Sequence, residues 1–409
     1  MRQVLSANRI FYRHLLNAGT DAGHIIRFAF DSAEDLKLLG ESLPELEKEK
    51  RGVHPEKFMD FISAKTAGGG RYYLLLDEIQ LLDCFELVLN GYLRRENLDV
   101  YVTAGSAERL SRNVAAEFAG RGDKVRLYPL SFAEFMSVYD GDRYAGLSEY
   151  LRCGGLPQVV LCADAREKEA LLQDFLYKAC RSVLARLGRR QSKEDLEALL
   201  RILSSSAGVL ESPEKLKNAL QAARNTKTSA TAVRRLLEAL EDAFLIASAK
   251  LYDIKGKACR ANQVKYYFTD LGLRSAGLGL SRPDLAPCLE TVLYHELCRR
   301  GYSVDVGIVP CIEKDAAGKA HRRQLEVDFV CNMGSSRCYI QSAPARIDEA
   351  GRRQLLRPFR KIDDSFRKLI VTADVVPPYY DDYGILTVSI YDFLLAEHRE
   401  AEFLCGMLL

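Results

Sequence analysis

Two adjacent acids, Asp77 and Glu78, close the apolar run Tyr72-Tyr73-Leu74-Leu75-Leu76, and that position is what gives them chemistry. A short, wholly apolar stretch reads as a buried strand, and open α/β sheets gather ligands at the C-terminal ends of such strands. An Asp there can support Mg²⁺, and a Glu beside it can polarise a water for attack on a phosphoryl group. A buried strand that simply runs out into solvent ends the same way, so the pair needs company. A second apolar segment begins at 99 and ends Thr103-Ala104-Gly105-Ser106, offering Ser106 as a polar side chain beside the acids. Arg121 then lies between glycines, Gly120-Arg121-Gly122, where a cation could meet a γ-phosphate of its own or a neighbouring subunit. A surface arginine would look no different. Asp77, Glu78, Ser106 and Arg121 are therefore the catalytic candidates, with Asp77 as the metal-supporting one. The glycine-rich phosphate loop G-x-x-x-x-G-K-[ST] does not occur in the 409 residues.

Other residue groups point elsewhere. Lys227 to Arg235 contains a Ser/Thr helix start followed by Arg234 and Arg235, and recognition helices present such residues to a major groove. Lys255 and Lys257 form the basic tip of an expected hairpin. These four are the candidate nucleic-acid contacts, although such modules also serve as protein-interaction surfaces. Cys288, His295 and Cys298 fall near one helix face by their spacing. Three collinear ligands close a tetrahedron poorly, and a thiol-lined core stripe explains them better.

The elements that must position these groups alternate over the first 145 residues or so. Strands are expected around His24–Phe30, Tyr72–Glu78, Asp99–Gly105 and Lys124–Leu130, separated by amphipathic helices, the β-α-β signature of a parallel sheet. Leu171, Leu172, Phe175 and Leu176, then Leu196, Leu199, Leu200 and Leu203, fall on helical spacing. Residues 212–246 read as helix, turn, helix, and 255–268 as a hairpin, an order that suggests a winged helix. After Pro283 a helix through Glu296 leads into strands near Val304, Val327, Tyr339, Ile370 and Leu386.

Composition narrows the class without choosing a partner. With 48% hydrophobic and 28% charged residues, the chain reads as globular and multidomain. No apolar run approaches the 18 or so residues of a membrane span, and the start lacks a signal-peptide core. The 11 cysteines are scattered without a C-x-x-C, which fits reduced thiols and a cytoplasmic location. A net charge of +2 provides no strong field for nucleic acid, so any such contact must be local.

In order along the chain, Leu76-Asp77-Glu78-Ile79-Gln80, Tyr101-Val102-Thr103, Gly120-Arg121-Gly122-Asp123 with Tyr128 to Phe135, Gly154-Gly155-Leu156-Pro157, Leu240 to Ile246, Lys265 to Asp270 and Leu325 to Phe329 form a series. In that series the chain resembles the prokaryotic AAA-type, archaeal-ATPase-like proteins, with a P-loop core, a winged helix and a restriction-endonuclease-like C-terminal domain. The resemblance implies an α/β P-loop-type sheet over 1–145, a helical lid over 146–210, a winged helix over 211–278 and a second α/β domain over 279–409. It implies ATP and Mg²⁺ as cofactors, Asp77 supporting the metal, Glu78 as base, Ser106 near the sensor position and Arg121 as finger. Gly155 and Pro157 would line an adenine pocket. In the C-terminal domain Glu296, Glu326, Asp328 and Gln341 would be the remnant of a nuclease site. Such a site needs an acid-x-lysine pair to hold Mg²⁺ and activate water; here Gln341 and Ala343 stand in those places, so a structural domain is expected. Arg352, Arg353, Arg357, Arg360 and Lys361 recur along a helix beside it and either contact phosphates or form a solvated helix face.

Val4-Leu5 and Phe11-Tyr12 resemble the helix that follows a phosphate loop, which sets Met1 to Gln3 at the loop's end. The expectation is a truncated reading frame, with ATP binding and hydrolysis impaired by loss of the loop's amides and lysine. The alternative is a non-catalytic DNA-binding or scaffolding protein that keeps the fold. DNA is the expected nucleic-acid partner, a homo-oligomer or protein partner stays open, and no membrane contact is expected.

Overall fold

The computed structural model describes residues 2–49, 51–103, 122–123, 125–188, 192–206, 208–224, 228–279, 284–314 and 320–396. The chain forms two units, 1–126 and 127–409.

In the first unit, β1 (Ile25–Ala29), β2 (Tyr72–Asp77) and β3 (Leu98–Val102) make a parallel sheet in the order β1-β2-β3. The apolar run is the central strand. Leu74 and Leu76 enter a core with Phe28, Phe30, Phe58 and Tyr92. Leu75 packs with Ile25 and Leu15, the latter on the helix Arg2–Asn17. This is the period of two expected for a strand covered on both faces. Each fully buried leucine is worth about 1.5–3 kcal/mol, so an apolar pattern this dense specifies the middle of the sheet. Helices Pro55–Lys65 and Phe85–Tyr92 contribute Phe58, Ile62, Phe85, Val88 and Leu89 to the core.

No strand forms over the described part of the expected 124–130 segment. Val125 and Leu127 are exposed, and Leu130 gives its N–H to Gly155 O (2.8 Å) while its carbonyl accepts Tyr150 OH (2.7 Å). Alternating apolar residues there imitate a strand, but Pro129 cannot donate to a ladder and the backbone is spent on a loop.

The second unit begins with helices Phe132–Met136, Arg143–Cys153, Ala165–Leu187 and Lys193–Ser205. The first carries a capping box, Ser131 with Glu134. Next come β4 (Leu210–Glu211), helices Pro213–Arg224 and Ala230–Asp242, and the hairpin β5 (Ile246–Asp253) and β6 (Ala258–Phe268). Helix Leu285–Arg299 then precedes β7 (Ser303–Lys314), β8 (Ala320–Met333) and β9 (Ser336–Ala343). Helix Glu349–Leu356 leads to β10 (Arg367–Thr372), β11 (Tyr379–Tyr380) and β12 (Leu386–Ser389). All nine strands share one sheet, β11-β12-β10-β9-β8-β7-β5-β6-β4. The hairpin joins it through parallel pairing of Leu251, Tyr252 and Asp253 with Val306, Gly307 and Ile308. The sheet therefore runs across the domain boundary expected at 278/279. Among the described residues, no helix is long and apolar enough to cross a membrane.

Candidate functional site

Asp77 ends the central strand of the first unit and is 6% exposed. Its carboxylate accepts the Thr103 hydroxyl. Pairing explains the neighbour: Leu76 lies opposite Val102, so the next residues along, Asp77 and Thr103, meet. Thr103 N–H also donates to Leu76 O (2.9 Å) and Ile79 N–H to Thr103 O (3.1 Å), locking the strand ends together. Glu78 breaks the strand with a left-handed backbone, φ 54° and ψ 45°, an uncommon conformation for a non-glycine residue. Its carboxylate accepts the Gln80 side-chain amide. Consecutive acids therefore do not alternate as they would along a strand, because the turn redirects the second. Sequence reading named Ser106 as the polar companion; the structure gives Thr103 that contact with Asp77. Register counting from the two strand ends is the signal that identifies it. Ser106 and Arg121 lie outside the described residues.

Gly155 and Pro157 belong to the second unit. Gly155 N–H donates to Asp270 Oδ2 (2.7 Å), and Leu273 N–H to Asp270 Oδ1 (3.1 Å), where Asp270 caps helix Leu271–Gly277. Burial pushes the Asp270 carboxyl up to about 6 against the pull of these amides. Glycine is required: a Cβ at Gly155 would stand 2.2 Å from Leu130 O, and Gly154 adopts φ +73°. Three motifs of the sequence series, around Ser131, Gly154–Gly155 and Thr269–Asp270, thus meet at one small cleft also lined by Tyr150, His295 and Arg299.

In the C-terminal sheet the structure gathers Glu326, Asp328 and Gln341 but not Glu296. Glu296 is 5% exposed and ion-paired with Arg300 (2.6 Å) and Arg299 (2.5 Å). Glu290, six residues earlier and on another face of the helix, joins the group instead. Lys265 reaches it from β6: Nζ lies 2.8 Å from Glu290 Oε1 and 2.6 Å from Glu326 Oε1, with the side chain 2% exposed. Tyr267 OH donates to the same Glu290 oxygen (2.7 Å). Asp328 Oδ2 accepts Ser342 N–H (2.7 Å). Burial, then the charge of Glu290, raises the Asp328 carboxyl to about 7 despite Lys265. Burial works against the Lys265 ammonium, yet Glu290, Asp328 and Glu326 outweigh it and hold its pKa above the usual lysine range. Lys265 and Glu290 were not foreseen as site residues, since their meeting depends on a sheet register spanning 61 positions between Lys265 and Glu326.

Arg234 and Arg235 are exposed on helix Ala230–Asp242. Lys255 lies 4.0 Å from Asp363, and Lys257 sits in the hairpin turn with φ 48°. Cys288 Sγ accepts from Arg274 (3.0 Å) and His295 Nε2 bonds Phe268 O (2.7 Å), so those groups serve local contacts.

Residues 9–136 match a family model described as an AAA domain, and residues 144–284 one described as domain of unknown function DUF8612. An uncharacterized protein of Haemophilus influenzae is 31% identical over 336 residues, 80% of this chain and 78% of its own length. Uncharacterized protein MJ1544 of Methanocaldococcus jannaschii is 26% identical over 335 residues, 78% of this chain and 71% of its own. Among solved structures, the Walker-type ATPase PABY2304 of Pyrococcus abyssi covers 62% of this chain and 83% of its own, at 11% identity and a TM-score of 0.40. The chain thus belongs to the family of the Haemophilus influenzae protein, and residues 9–136 of it are similar to an AAA domain.

Proposed function

We propose that the first unit is a Mg²⁺–ATP site at the C-terminal end of its parallel sheet, with Asp77 supporting the metal and Glu78 orienting and polarising water. The observation that carries this reading is the Asp77 carboxylate at the end of the central strand, fixed by the Thr103 hydroxyl of the adjoining strand end. The donors fit: Mg²⁺ takes hard oxygens and is commonly held by one or two carboxylates together with substrate phosphates. Bound there, the metal would neutralise phosphate charge. The chain's own residues orient: Thr103 fixes one Asp77 oxygen, and Gln80 holds Glu78 from the turn. Arg121 is proposed to stabilise charge at the γ-phosphate, and Ser106 to act as the sensor. Grip on ATP by these 409 residues is expected to be weak, because G-x-x-x-x-G-K-[ST] is not among them.

In the second unit, helices Pro213–Arg224 and Ala230–Asp242 with the β5–β6 hairpin and β4 support a winged-helix reading, with DNA contacted by Arg234, Arg235, Lys255 and Lys257. Residues beyond 279 are read as an endonuclease-like domain.

The test is titration of a fluorescent ATP analogue, with and without Mg²⁺, into the 409-residue chain and one extended upstream. Tight Mg²⁺-dependent binding by the extended chain, lost in Asp77→Ala, supports the reading. Glu78→Gln should keep binding and lose turnover. Binding by neither chain sinks the ATP reading and leaves the non-catalytic DNA-binding rival. That rival predicts salt-dependent DNA binding weakened in Arg234→Ala/Arg235→Ala.

A further inference from the structure

We infer that the Lys265 ammonium is the resident cation of the Glu290–Glu326–Asp328 cluster and excludes a divalent metal from the C-terminal sheet. An endonuclease-like domain implies Mg²⁺ held by acids from a helix and two strands, with a lysine following the last acid. The donor set here does not fit that metal. Nζ already lies 2.8 and 2.6 Å from two of the carboxylates and is buried between them. Mg²⁺ demands near-octahedral oxygens at about 2.0–2.1 Å, and an ammonium seated among the same oxygens takes the room and the charge it would need. Gln341 does not supply the missing ligand. Its Oε1 accepts Asp328 N–H (3.1 Å) and its Nε2 donates to Glu326 O (3.1 Å), so the amide is turned to the β8 backbone. Ser342 N–H and Tyr267 OH occupy further carboxylate lone pairs. With Lys265 in place, no group of three or more His, Cys, Asp or Glu among the described residues is disposed to hold a metal ion.

The residues at 341 and 343, Gln and Ala, complete the picture. Ala343 stands where a nuclease would carry a lysine after its last acid, and the lysine present arrives from the hairpin strand β6 among the acids themselves. A charge that elsewhere must be recruited from solution is here part of the chain. It binds β6, helix Leu285–Arg299 and β8 to one another, and the domain stands without metal-dependent phosphodiester hydrolysis.

The inference concerns the second unit alone, so its failure leaves the ATP reading untouched. The test uses the full chain without nucleotide, in an Asp77→Asn background that removes the carboxylate proposed to support metal in the first unit. Mn²⁺ binding is read by electron paramagnetic resonance and thermal melting. The Lys265→Met chain should bind one Mn²⁺ more tightly than the chain with Lys265 by about tenfold or more, a decade of affinity. Its melting temperature should rise with Mn²⁺, and both effects should vanish on adding Asp328→Asn. Should Lys265→Met fail to fold alone, Mn²⁺ is expected to restore the fold. Three results overturn the inference: Mn²⁺ bound by the chain with Lys265 and lost on Asp328→Asn; melting of Lys265→Met indifferent to Mn²⁺; or a Lys265→Met chain still unfolded at saturating Mn²⁺. Mg²⁺-dependent DNA cleavage abolished by Asp328→Ala would overturn it as well.

Discussion

Asp270→Asn should flatten the acid side of the second unit's stability profile. Asp270 is 3% exposed, and its carboxylate accepts the Gly155 and Leu273 N–H groups. Burial raises it from 3.8 to about 6 in the folded chain. A raised carboxyl pKa means that the native state holds the proton more tightly than the unfolded one. Stability contributed by this group is therefore greatest below the unfolded pKa and falls as pH rises through the folded one. From about pH 4.5 to about pH 7.5, a shift of this size removes about 2 kcal/mol. Asn carries no titrating proton, so that slope should be missing from Asp270→Asn, while other carboxylates titrate alike in both chains and cancel on comparison. Asn also loses one acceptor, adding a cost of about 1–3 kcal/mol for a buried donor left unpaired, at either pH. Urea unfolding of both chains across this range, followed by near-ultraviolet circular dichroism, gives the difference. Profiles that run parallel would refute the assignment of a raised pKa to Asp270.

Gly155→Ala should destabilise the second unit by about 3 kcal/mol or prevent its folding, because the new methyl meets Leu130 O at 2.2 Å; thermal melting measures it, and a change within about 0.5 kcal/mol would contradict the geometry. Burial raises the Glu149 carboxyl, but Lys168 and Arg152 outweigh it and hold it at about 2. Its contribution should thus be present above the usual carboxylate pKa and be lost as pH falls through about 2. Glu149→Gln should accordingly be less stable than the parent at neutral pH and converge with it in strong acid. Cys84 and Cys259 are exposed, whereas burial pushes Cys153 up to about 12 and Cys180 to about 11. Timed alkylation with mass spectrometry should label the first two well before the others, and early labelling of Cys153 would show that its surroundings open.

What could be read in advance was local. The run 72–76 identified a strand buried on both faces because five consecutive apolar or aromatic residues leave no solvated side, and the acids at its end followed from strand direction. The segment 124–130 misled because alternation counts side chains and not hydrogen-bond partners; its Leu130 backbone is used by Gly155 and Tyr150. Glu296 is the acid that sequence reading names, and Glu290 goes unremarked. Both lie on one helix, and only the position of β6 and β8 decides which face meets the sheet. Lys265 and Asp270 take their roles from partners more than 20 and more than 100 positions away, Glu290 and Gly155, and spacing within a motif carries no trace of either.

Parallel pairing of β5 with β7 has a practical meaning for anyone dividing this chain. A cut near 278 would strip the hairpin of a neighbouring strand and leave β7 with a bare edge, which invites aggregation. Fragments ending or starting there should precipitate together more readily than they refold apart. The hairpin after the helix pair is thus also a part of the sheet that follows it, and neither piece keeps its full set of strand partners without the other.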